Sequence, residues 1–342
     1  MASEFDVNMT SELSTSSTSW EDREQFRRIA QLYQIIVPPI FAFIIVSGCV
    51  GNLLVIYVIV SRRKLQTVTN LLLMSLAISD VSFLLVCGGF SALHYILSEW
   101  PLGDVLCRII QYLLYVTCYV TVYTLIIVSA VRFLLVVCRE KAKVYCSKRN
   151  VTLLICATWL VFLLAKIPIL VVHSEKTNAQ TGRTECIIIG KNDGRKLFAS
   201  FFVFAYALPL LVICILYLLI LRHIRSKSHN SSANGATSTC SNHQQLRNRH
   251  VTKCVVIVVL TFAVCWLPLH IHLLVAYYSR VPETNLVYNA SLILFQALSF
   301  LNSALNPLIY NYFSKDFRAS FRSVICCQAQ NQLDMSNTAT QV

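Results

Sequence analysis

The sequence predicts an all-α membrane protein, a seven-transmembrane helix bundle with a short amphipathic helix after the seventh span. Its 342 residues are 56% hydrophobic and only 13% charged, with a mean hydropathy of +0.61. A soluble chain of this length would lack the polar surface to cover so much apolar material. A helix needs about 20 apolar residues to cross a membrane. Spans one to seven are assigned to residues 35–60, 69–95, 106–137, 150–172, 197–221, 252–278 and 287–312.

The charge distribution predicts how the spans are oriented. The segments after spans one, three, five and seven are basic, and short basic loops favour the cytoplasmic side of a membrane. We therefore expect an extracellular N terminus. The segment after span four is also basic, so the bias is not absolute. The net charge of +13 is explained by this topology and by attraction to anionic membrane lipid, and nucleic acid is not an expected partner.

Four segments follow from this topology. They are an extracellular N-terminal tail at 1–32, the bundle at 33–313, an amphipathic membrane-surface helix at 314–327 and a cytoplasmic tail at 328–342. The tail has no basic region followed by an apolar core, so we expect span one to direct insertion. Asn8 begins an N-glycosylation sequon on the extracellular side. The Ser-, Asn- and Thr-rich residues 226–248 predict a mobile loop.

The fourteen cysteines differ in their predicted position relative to the membrane. Most lie within spans, as small buried hydrophobic residues, or face the cytoplasm, where thiols stay reduced. Only Cys107, at the outer end of span three, and Cys186, in the loop after span four, meet an oxidising compartment. The sequence therefore predicts one disulfide, Cys107–Cys186, which would hold this loop across the outer mouth of the bundle.

Prolines and polar residues interrupt several spans. Span six contains Cys265-Trp266-Leu267-Pro268 and span seven contains Asn306-Pro307-Leu308-Ile309-Tyr310. A proline in a spanning helix removes a backbone hydrogen bond and kinks the helix. Other notable residues, in chain order, are Gly51-Asn52, Leu76-Ala77-Ile78-Ser79-Asp80, Cys107, Arg132, Trp159, Pro209, Tyr217 and Phe262. In this order the set resembles the rhodopsin-like (class A) family of G-protein-coupled receptors, over roughly residues 33–327.

The resemblance implies a hydrated polar core that can hold an allosteric sodium ion, with no other cofactor and no other metal. At its centre is Asp80, a carboxylate at mid-membrane depth, where an unpaired charge is costly. The alternative is a structural aspartate that only accepts hydrogen bonds. The remaining residues that the resemblance assigns to this core are Asn52, Thr121, Asn302, Ser303 and Asn306.

The resemblance also implies a switch that couples to a heterotrimeric G protein. Its residues are Arg132, Tyr217, Phe262, Pro268, Pro307 and Tyr310. Packing is the alternative role for the aromatic members. One departure from the family pattern is clear, because Val131 precedes Arg132 where the family usually has an acid. We expect either raised basal signalling or weak coupling. On span six, the position where some relatives supply a second acid holds Asn248.

The ligand class is predicted from the outer half of the bundle. Leu114 occupies the position where amine receptors place an aspartate, and Phe300 the position of the retinal-binding lysine, so neither ligand is expected. Hydrogen-bonding groups in an otherwise apolar cavity resemble those of peptide receptors. The predicted ligand-binding residues are Gln111, Leu114, Tyr115, Trp266 and His270. We expect one of the two histidines His270 and His272 to face lipid or a neighbouring residue.

Two sequence segments resemble the galanin and allatostatin-A receptor group, whose members bind neuropeptides and commonly couple to inhibitory G proteins. They are residues 100–104 and 107–113. The resemblance makes opioid and somatostatin receptors more distant, because these use an acid at the position of Leu114. The segment from His173 to Lys196 is long enough to form a hairpin lid. Lys166 either reaches the outer interface or meets an acidic group of the ligand.

The C-terminal segment predicts contacts with membrane and cytoplasmic partners. Phe317 and Phe321 lie one turn apart, as in a helix on the inner leaflet. Cys326 and Cys327 form a predicted palmitoylation site, with an ordinary thiol pair as the alternative. Ser336, Thr338 and Thr340 could accept phosphates that recruit an arrestin-like desensitising protein. The ending at Val342 fits capture by a PDZ protein.

The sequence disfavours two other classes of protein and leaves a third open. An enzyme is not expected, since the sequence contains no metal-ligand spacing, nucleophile elbow or phosphate loop. A transporter or channel would be built from two related halves with paired broken helices, and the sequence has no internal repeat. An atypical or scavenger receptor, with weak G-protein coupling, remains the rival that Val131 favours.

Overall fold

The computed structural model describes residues 20–97, 99–177, 182, 184–233, 239–279 and 286–325. Within these ranges seven helical segments are long and apolar enough to cross a membrane. They run over Gln31–Ser61, Val68–Leu97, Gly103–Val137, Lys148–Val172, Asn192–Ser226, Lys253–Tyr278 and Val287–Phe313. The predicted seven-span, all-α membrane architecture is confirmed, and a further helix follows the seventh span.

The secondary structure is helical in every span. The helices of spans one to four are Trp20–Ser61, Val68–Phe83 with Gly89–Leu97, Gly103–Val137, and Lys148–Ala165 with Ile169–Val172. Those of spans five to seven are Lys191–Phe202 with Leu208–Ala233, Thr239–Tyr278, and Leu286–Phe313. Shorter helices occupy Arg63–Leu65, Arg139–Tyr145 and Lys315–Ile325, and the last of these is the surface helix. Two strands, β1 (His173–Thr177) and β2 (Thr184–Ile188), form the loop after span four.

Three helices extend beyond the apolar stretches that predict them. The first begins at Trp20, so the boundary assigned at residue 33 lies inside a helix. The helix of span five continues to Ala233 and that of span six begins at Thr239, so most of the loop predicted at 226–248 is helical. Hydropathy marks where a helix leaves the hydrocarbon layer. Backbone hydrogen bonding continues into water wherever the residues favour it.

Prolines change the local helix geometry in spans four and five but do not interrupt the helices of spans six and seven. Pro268 and Pro307 lie inside continuous helices. In span five the π-helical turn Val203–Ala207 comes just before Pro209. A proline cannot donate a hydrogen bond and its ring crowds the carbonyl four residues earlier, so a wider turn relieves the conflict at this point. Pro168 lies in the turn that ends the regular helix of span four.

Span three is the central helix of the bundle and span four the most exposed. Span three contacts spans two, four, five and six, and also the strand β1. Span four packs on spans two and three and exposes much of its apolar surface, with Val161 56% and Leu164 58% exposed. Such exposure suits contact with lipid chains.

The loop after span four forms the predicted hairpin. Strands β1 and β2 are antiparallel, and Glu175 lies opposite Cys186. Cys186 is bonded to Cys107, with 5.5 Å between the two Cα atoms, which confirms the predicted disulfide. The backbone amide of Trp100 also donates a hydrogen bond to the Thr184 carbonyl. We call this side of the bundle the disulfide end, and the opposite side, at Arg132, the arginine end.

Candidate functional site

An aromatic cluster at the disulfide end contains three of the five predicted ligand residues. Tyr115, Trp266 and His270 are all buried. Phe201 of span five joins two of them, because its ring centroid lies 5.2 Å from that of Tyr115 and 4.7 Å from that of His270. The Trp266 ring lies 6.1 Å from the His270 ring. Spans three, five and six therefore meet through these side chains.

Several buried polar atoms in this region have no hydrogen-bond partner among the described residues. They are Gln111 Oε1, Trp266 Nε1 and His270 Nε2. A buried polar atom left unpaired costs about 1–3 kcal/mol, so a partner supplied by a ligand would be favourable. Leu114, one turn from Gln111 on span three, is partly buried against the core and contributes apolar surface.

Two residues of this region are missing from the predicted set. The His173 ring lies 6.3 Å from the Tyr115 ring and joins the hairpin to span three. Gln296 of span seven is buried and accepts a hydrogen bond from the Tyr95 hydroxyl at 3.3 Å. A glutamine in an apolar span is itself a signal of function. His173 could have been found from its place at the start of the predicted hairpin.

The two histidines of span six have different surroundings. His270 faces the aromatic cluster, whereas the His272 ring stacks on the Tyr288 ring of span seven at 4.0 Å. The Ser291 hydroxyl lies 3.2 Å from His272 Nδ1. His272 therefore contacts a neighbouring span, as expected for one of this pair.

The hairpin is held by a polar network at the start of span three. Asp104 accepts hydrogen bonds from the Ser174 hydroxyl at 2.7 Å and from the Glu175 amide at 2.8 Å. Arg108 forms an ion pair with Asp104 at 2.7 Å and donates to the Leu170 carbonyl. Together with the disulfide, this network fixes β1 against span three.

Burial changes the acidity of His173, the first residue of β1. Its removal from water lowers its pKa to about 4, although its hydrogen bond with the Ile169 carbonyl acts in the opposite direction. This imidazole is therefore neutral at pH 7.

The polar core forms around Asp80, which is fully buried. The Ser303 hydroxyl donates to one carboxylate oxygen at 2.8 Å, and the Asn306 amide donates to the other at 2.7 Å. Asn52 donates to the Ser303 carbonyl at 3.0 Å. Thr121 bonds Ser79 at 2.8 Å rather than Asp80 itself. Spans one, two and seven are thus joined at mid-membrane.

These residues fit a small, hard cation. The amide oxygens of Asn52, Asn302 and Asn306 are buried and have no hydrogen-bond partner among the described residues. Asn52 and Asn306 belong to the polar core that contains the Asp80 carboxylate, and Asn302 directly precedes Ser303 of that core on span seven. Hard cations prefer carboxylate and amide carbonyl oxygens as ligands. In the described part of the chain no cluster of His, Cys, Asp and Glu fits a transition metal.

At the arginine end, Arg132 is buried on span three, and Val131 beside it is buried too. The guanidinium of Arg132 lies within electrostatic reach of the Tyr217 hydroxyl on span five. It also acts on the thiol of Cys254 on span six. Cys254 is absent from the predicted set, although it lies two turns before Phe262 on the same helix. The side chain of Asn248 lies outside the described residues.

Aromatic contacts extend the ligand cluster deeper between spans five and six. The Phe262 ring lies 6.0 Å from the Trp266 ring and 6.0 Å from the Tyr206 ring. Tyr206, in the π-helical turn, donates a hydrogen bond to the Ala263 carbonyl at 2.8 Å. The predicted relay residues therefore form one continuous layer between spans five and six.

The surface helix is amphipathic, as predicted. Phe317 and Phe321 are buried against the bundle, whereas Arg318 and Arg322 are exposed. The Phe317 ring lies 6.0 Å from the Tyr310 ring, which links this helix to span seven. Asn8, Cys326, Cys327 and Val342 lie outside the described residues, so their predicted modifications and contacts are not located.

Comparison with known proteins identifies the family. Residues 51–310 match the family model described as 7 transmembrane receptor (rhodopsin family). The allatostatin-A receptor of Bombyx mori is 33% identical over 315 residues, or 91% of this chain and 84% of that protein. Galanin receptor type 2 of Mus musculus is 33% identical over 85% of this chain and 76% of its own length.

Somatostatin receptors are about as similar as galanin receptors. Somatostatin receptor type 5 of Rattus norvegicus is 32% identical over 85% of this chain and 78% of its own length. The prediction of a more distant relation was wrong at the level of overall identity, which depends on the whole helix framework rather than on the one position of Leu114. These relatives are receptors and not enzymes. This chain belongs to the rhodopsin family of seven-transmembrane receptors.

Proposed function

We propose that this chain is a plasma-membrane receptor for an extracellular neuropeptide and that it signals through a heterotrimeric G protein. In this proposal the disulfide end and the N terminus are extracellular. One observation carries it, namely the buried unpaired atoms of Gln111, Trp266 and His270 within apolar surroundings. A peptide offers backbone donors and acceptors for such groups together with apolar side chains for the cavity walls.

The proposed ligand class depends on the side chains in the disulfide-end half of the bundle. Leu114 supplies no counter-ion for an amine, and Phe300 supplies no amine for a retinal Schiff base. The relatives are named as allatostatin-A, galanin and somatostatin receptors. We therefore place the ligand among peptides of these classes. Galanin- and allatostatin-A-type peptides are the first choice, since Leu114 differs from the acid expected in somatostatin receptors.

We propose that the arginine end binds the G protein, of the inhibitory type. Arg132 would meet it when spans five to seven rearrange, with Tyr217 and Tyr310 moving relative to this arginine. The contact of Trp266 with Phe262 supports this role, because it extends the ligand cluster by one helical turn of span six towards the arginine end. Pro268 and Pro307 would act as hinges.

Sodium binding in the polar core is part of the same proposal. The ion would be held by Asp80 and by the unpaired amide oxygens of Asn52, Asn302 and Asn306. We also retain the proposals of glycosylation at Asn8 and palmitoylation at Cys326 and Cys327. An arrestin-like protein and a PDZ protein at Val342 are further proposed partners.

A peptide panel on cells that express the chain tests the proposed function. Allatostatin-A-, galanin- and somatostatin-type peptides are applied, and calcium and cyclic AMP are measured. One class should lower cyclic AMP, and pertussis toxin should abolish this response. The variants Arg132→Ala and His270→Ala should lose signalling and peptide binding respectively. Binding of none of these peptide classes would contradict the proposal, as would an N-terminal epitope accessible only after permeabilisation.

A second candidate function is that of an atypical or scavenger receptor, which the Val131-Arg132 pair favours. Such a receptor would take up its peptide without a change in calcium or cyclic AMP. Uptake of a fluorescent peptide, measured on the same cells, distinguishes the two functions. A transporter or channel is not favoured, because the family is one of receptors.

A further inference from the structure

Lys166 places a half-buried cation within span four. It lies six residues before the end of the span, which is about 9 Å of helix. Its ammonium nitrogen lies 3.2 Å from the centroid of the Tyr119 ring on span three. Lys166 is thus folded inward over an aromatic ring, and the expected extension to the interface is not observed.

The residues around this ammonium lie where spans three, four and five approach one another. We name the candidate binding surface that they form the Lys166 crevice and define it by Lys166, Tyr119, Tyr123, Phe162 and Phe201. Tyr119 is its floor, since this ring lies 5.3 Å from Phe162 of span four and 5.9 Å from Phe201 of span five. Tyr123 continues the floor towards the arginine end, with its ring 4.7 Å from Phe162.

The residues of spans four and five near the Lys166 crevice include exposed apolar side chains. On span four Leu164 and Ile167 are exposed, and on span five Val203 and Phe204 are exposed. Span four packs on spans two and three, so its remaining surface faces the surrounding lipid. An acyl chain could therefore lie along these side chains while its headgroup reaches the lysine.

Lys166 has no carboxylate partner among the described residues. By contrast, Arg108 is paired with Asp104 and Lys143 with Glu140. A cation–π contact compensates an ammonium for lost water only in part, by about 0.5–2 kcal/mol. A half-buried ammonium at this depth remains costly unless an anion approaches it.

We propose that the Lys166 crevice binds a single-chain anionic amphiphile with a carboxylate headgroup, such as a long-chain fatty acid. The carboxylate would pair with the Lys166 ammonium, and the chain would lie against Phe162, Tyr123 and the exposed apolar residues of spans four and five. No covalent step is involved. This proposal does not depend on the identity of the peptide.

Charge and depth favour a carboxylate over a phosphate headgroup. The crevice offers one cation, which matches one monoanionic carboxylate, whereas phosphate groups usually engage several donors. A carboxylic acid can also enter the hydrocarbon layer in its neutral form and ionise beside the ammonium. A phosphodiester keeps its charge and pays the full desolvation cost at this depth.

The crevice adjoins the ligand cluster through one shared side chain. Phe201 contacts Tyr119 on the crevice side and His270 on the cluster side, at 5.9 Å and 4.7 Å between ring centroids. An occupant that moves Tyr119 would therefore act on a residue of the ligand cluster. Binding at one site should then alter affinity at the other by the same factor.

Photolabelling of the full-length receptor tests the proposal. The protein is placed in nanodiscs of zwitterionic lipid and treated with a photoreactive, clickable oleate, and labelled peptides are identified by mass spectrometry. We expect saturable labelling of the segments around residues 160–167 and 201–207. Lys166→Gln should reduce it about tenfold, the equivalent of about 1.4 kcal/mol, whereas Lys166→Arg should retain it.

Matched controls keep the result interpretable. Lys148→Gln removes a lysine from the opposite end of the same helix and should leave labelling unchanged. An oleyl alcohol probe of the same chain length should label no better than the Lys166→Gln background. Thermal unfolding of each variant shows whether it is folded.

Even labelling of the whole lipid-facing surface would overturn the proposal, as would equal labelling of folded Lys166→Gln. Stronger displacement by a diacyl phosphatidate than by oleate would instead assign the site to membrane phospholipid.

Discussion

Arg132 and its neighbour set the balance between resting and active states in the proposed mechanism. Arg132 is buried at the arginine end, close to Tyr217 and Cys254, and Val131 supplies no carboxylate to its guanidinium. A carboxylate at position 131 would stabilise the arginine in its resting position. A change of about 1.4 kcal/mol between two states alters their ratio tenfold.

We predict that Val131→Asp lowers ligand-independent signalling about three- to tenfold, because the new carboxylate favours the resting state. The measurement is basal cyclic AMP or G-protein activation in cells with matched surface expression. Val131→Asn, which has a similar size but no charge, is the control and should change the basal level little. Unchanged or raised basal signalling in Val131→Asp would contradict this account.

The second residue-scale prediction concerns His173. Burial lowers the pKa of His173 to about 4 in the folded protein, whereas a histidine in the unfolded chain has a pKa of about 6.5. Between these two pH values the unfolded chain therefore binds more protons than the folded protein. Stability should therefore be complete above about pH 6.5 and decrease as the pH falls towards 4, by at most about 3 kcal/mol.

Hydrogen exchange of the β1–β2 hairpin between pH 7.5 and 4.5 tests this, after correction for the intrinsic exchange rate. His173→Gln should flatten the pH dependence of hairpin protection. An equal pH dependence in wild type and variant would show that another group is responsible.

At the scale of elements, the structure shows a close approach of spans five and six that the sequence does not indicate. A Cβ atom added at Gly194 would lie 2.1 Å from Cε1 of the Tyr277 ring. Arg195 donates to the Tyr277 carbonyl at 2.9 Å, and the Phe198 ring lies 4.7 Å from that of Tyr277. The glycine thus permits the two helix ends to meet.

We predict that Gly194→Ala destabilises the receptor by about 1–3 kcal/mol, because the packed Tyr277 ring must move. The thermal unfolding temperature of purified protein measures the effect. The double variant Gly194→Ala with Tyr277→Ala should lose less than the sum of the two single changes. Strict additivity would show that the contact is not the cause.

The elements themselves are largely predictable, whereas their ends are not. The sequence predicts span two at 69–95, and its helix covers Val68–Leu97, because an apolar run marks a membrane crossing directly. The helices that extend to Ala233 and from Thr239 were missed, since a polar helix in water has no hydropathy signal. The π-helical turn before Pro209 was also missed, because the sequence shows the proline but not how the backbone accommodates it.

At the scale of the whole molecule, the polar core joins distant parts of the chain. Asp80 of span two accepts hydrogen bonds from Ser303 and Asn306 of span seven, and Asn52 of span one donates to span seven as well. If sodium binds there, it should stabilise the folded bundle in proportion to its occupancy.

We predict that sodium chloride raises the unfolding temperature of the purified receptor by about 2–4 °C relative to N-methylglucamine chloride at equal ionic strength. Asp80→Asn should abolish this increment, because it removes the charge that attracts the ion. Asp104→Asn, which removes an acid at the disulfide end, should retain it. An increment that persists in Asp80→Asn would place the sodium effect elsewhere.

The sequence predicted which residues form the candidate site better than it predicted how their side chains contact one another. Motif order indicated Asp80, Arg132 and Trp266, since the costs of buried polar groups restrict which residues occur in a membrane span. The side-chain pairing was not accessible, because it depends on rotamers and helix rotation. Thr121, which bonds Ser79, and Lys166, which covers Tyr119, are two examples.

The β1–β2 hairpin at the disulfide end has a consequence for the rate at which a ligand dissociates. It is fastened by Cys186, by Asp104 and by the ring contact of His173 with Tyr115, so it opens only when several interactions break together. A molecule held beneath it would leave slowly, whatever its intrinsic affinity. Brief pulses of messenger could then produce responses that outlast them.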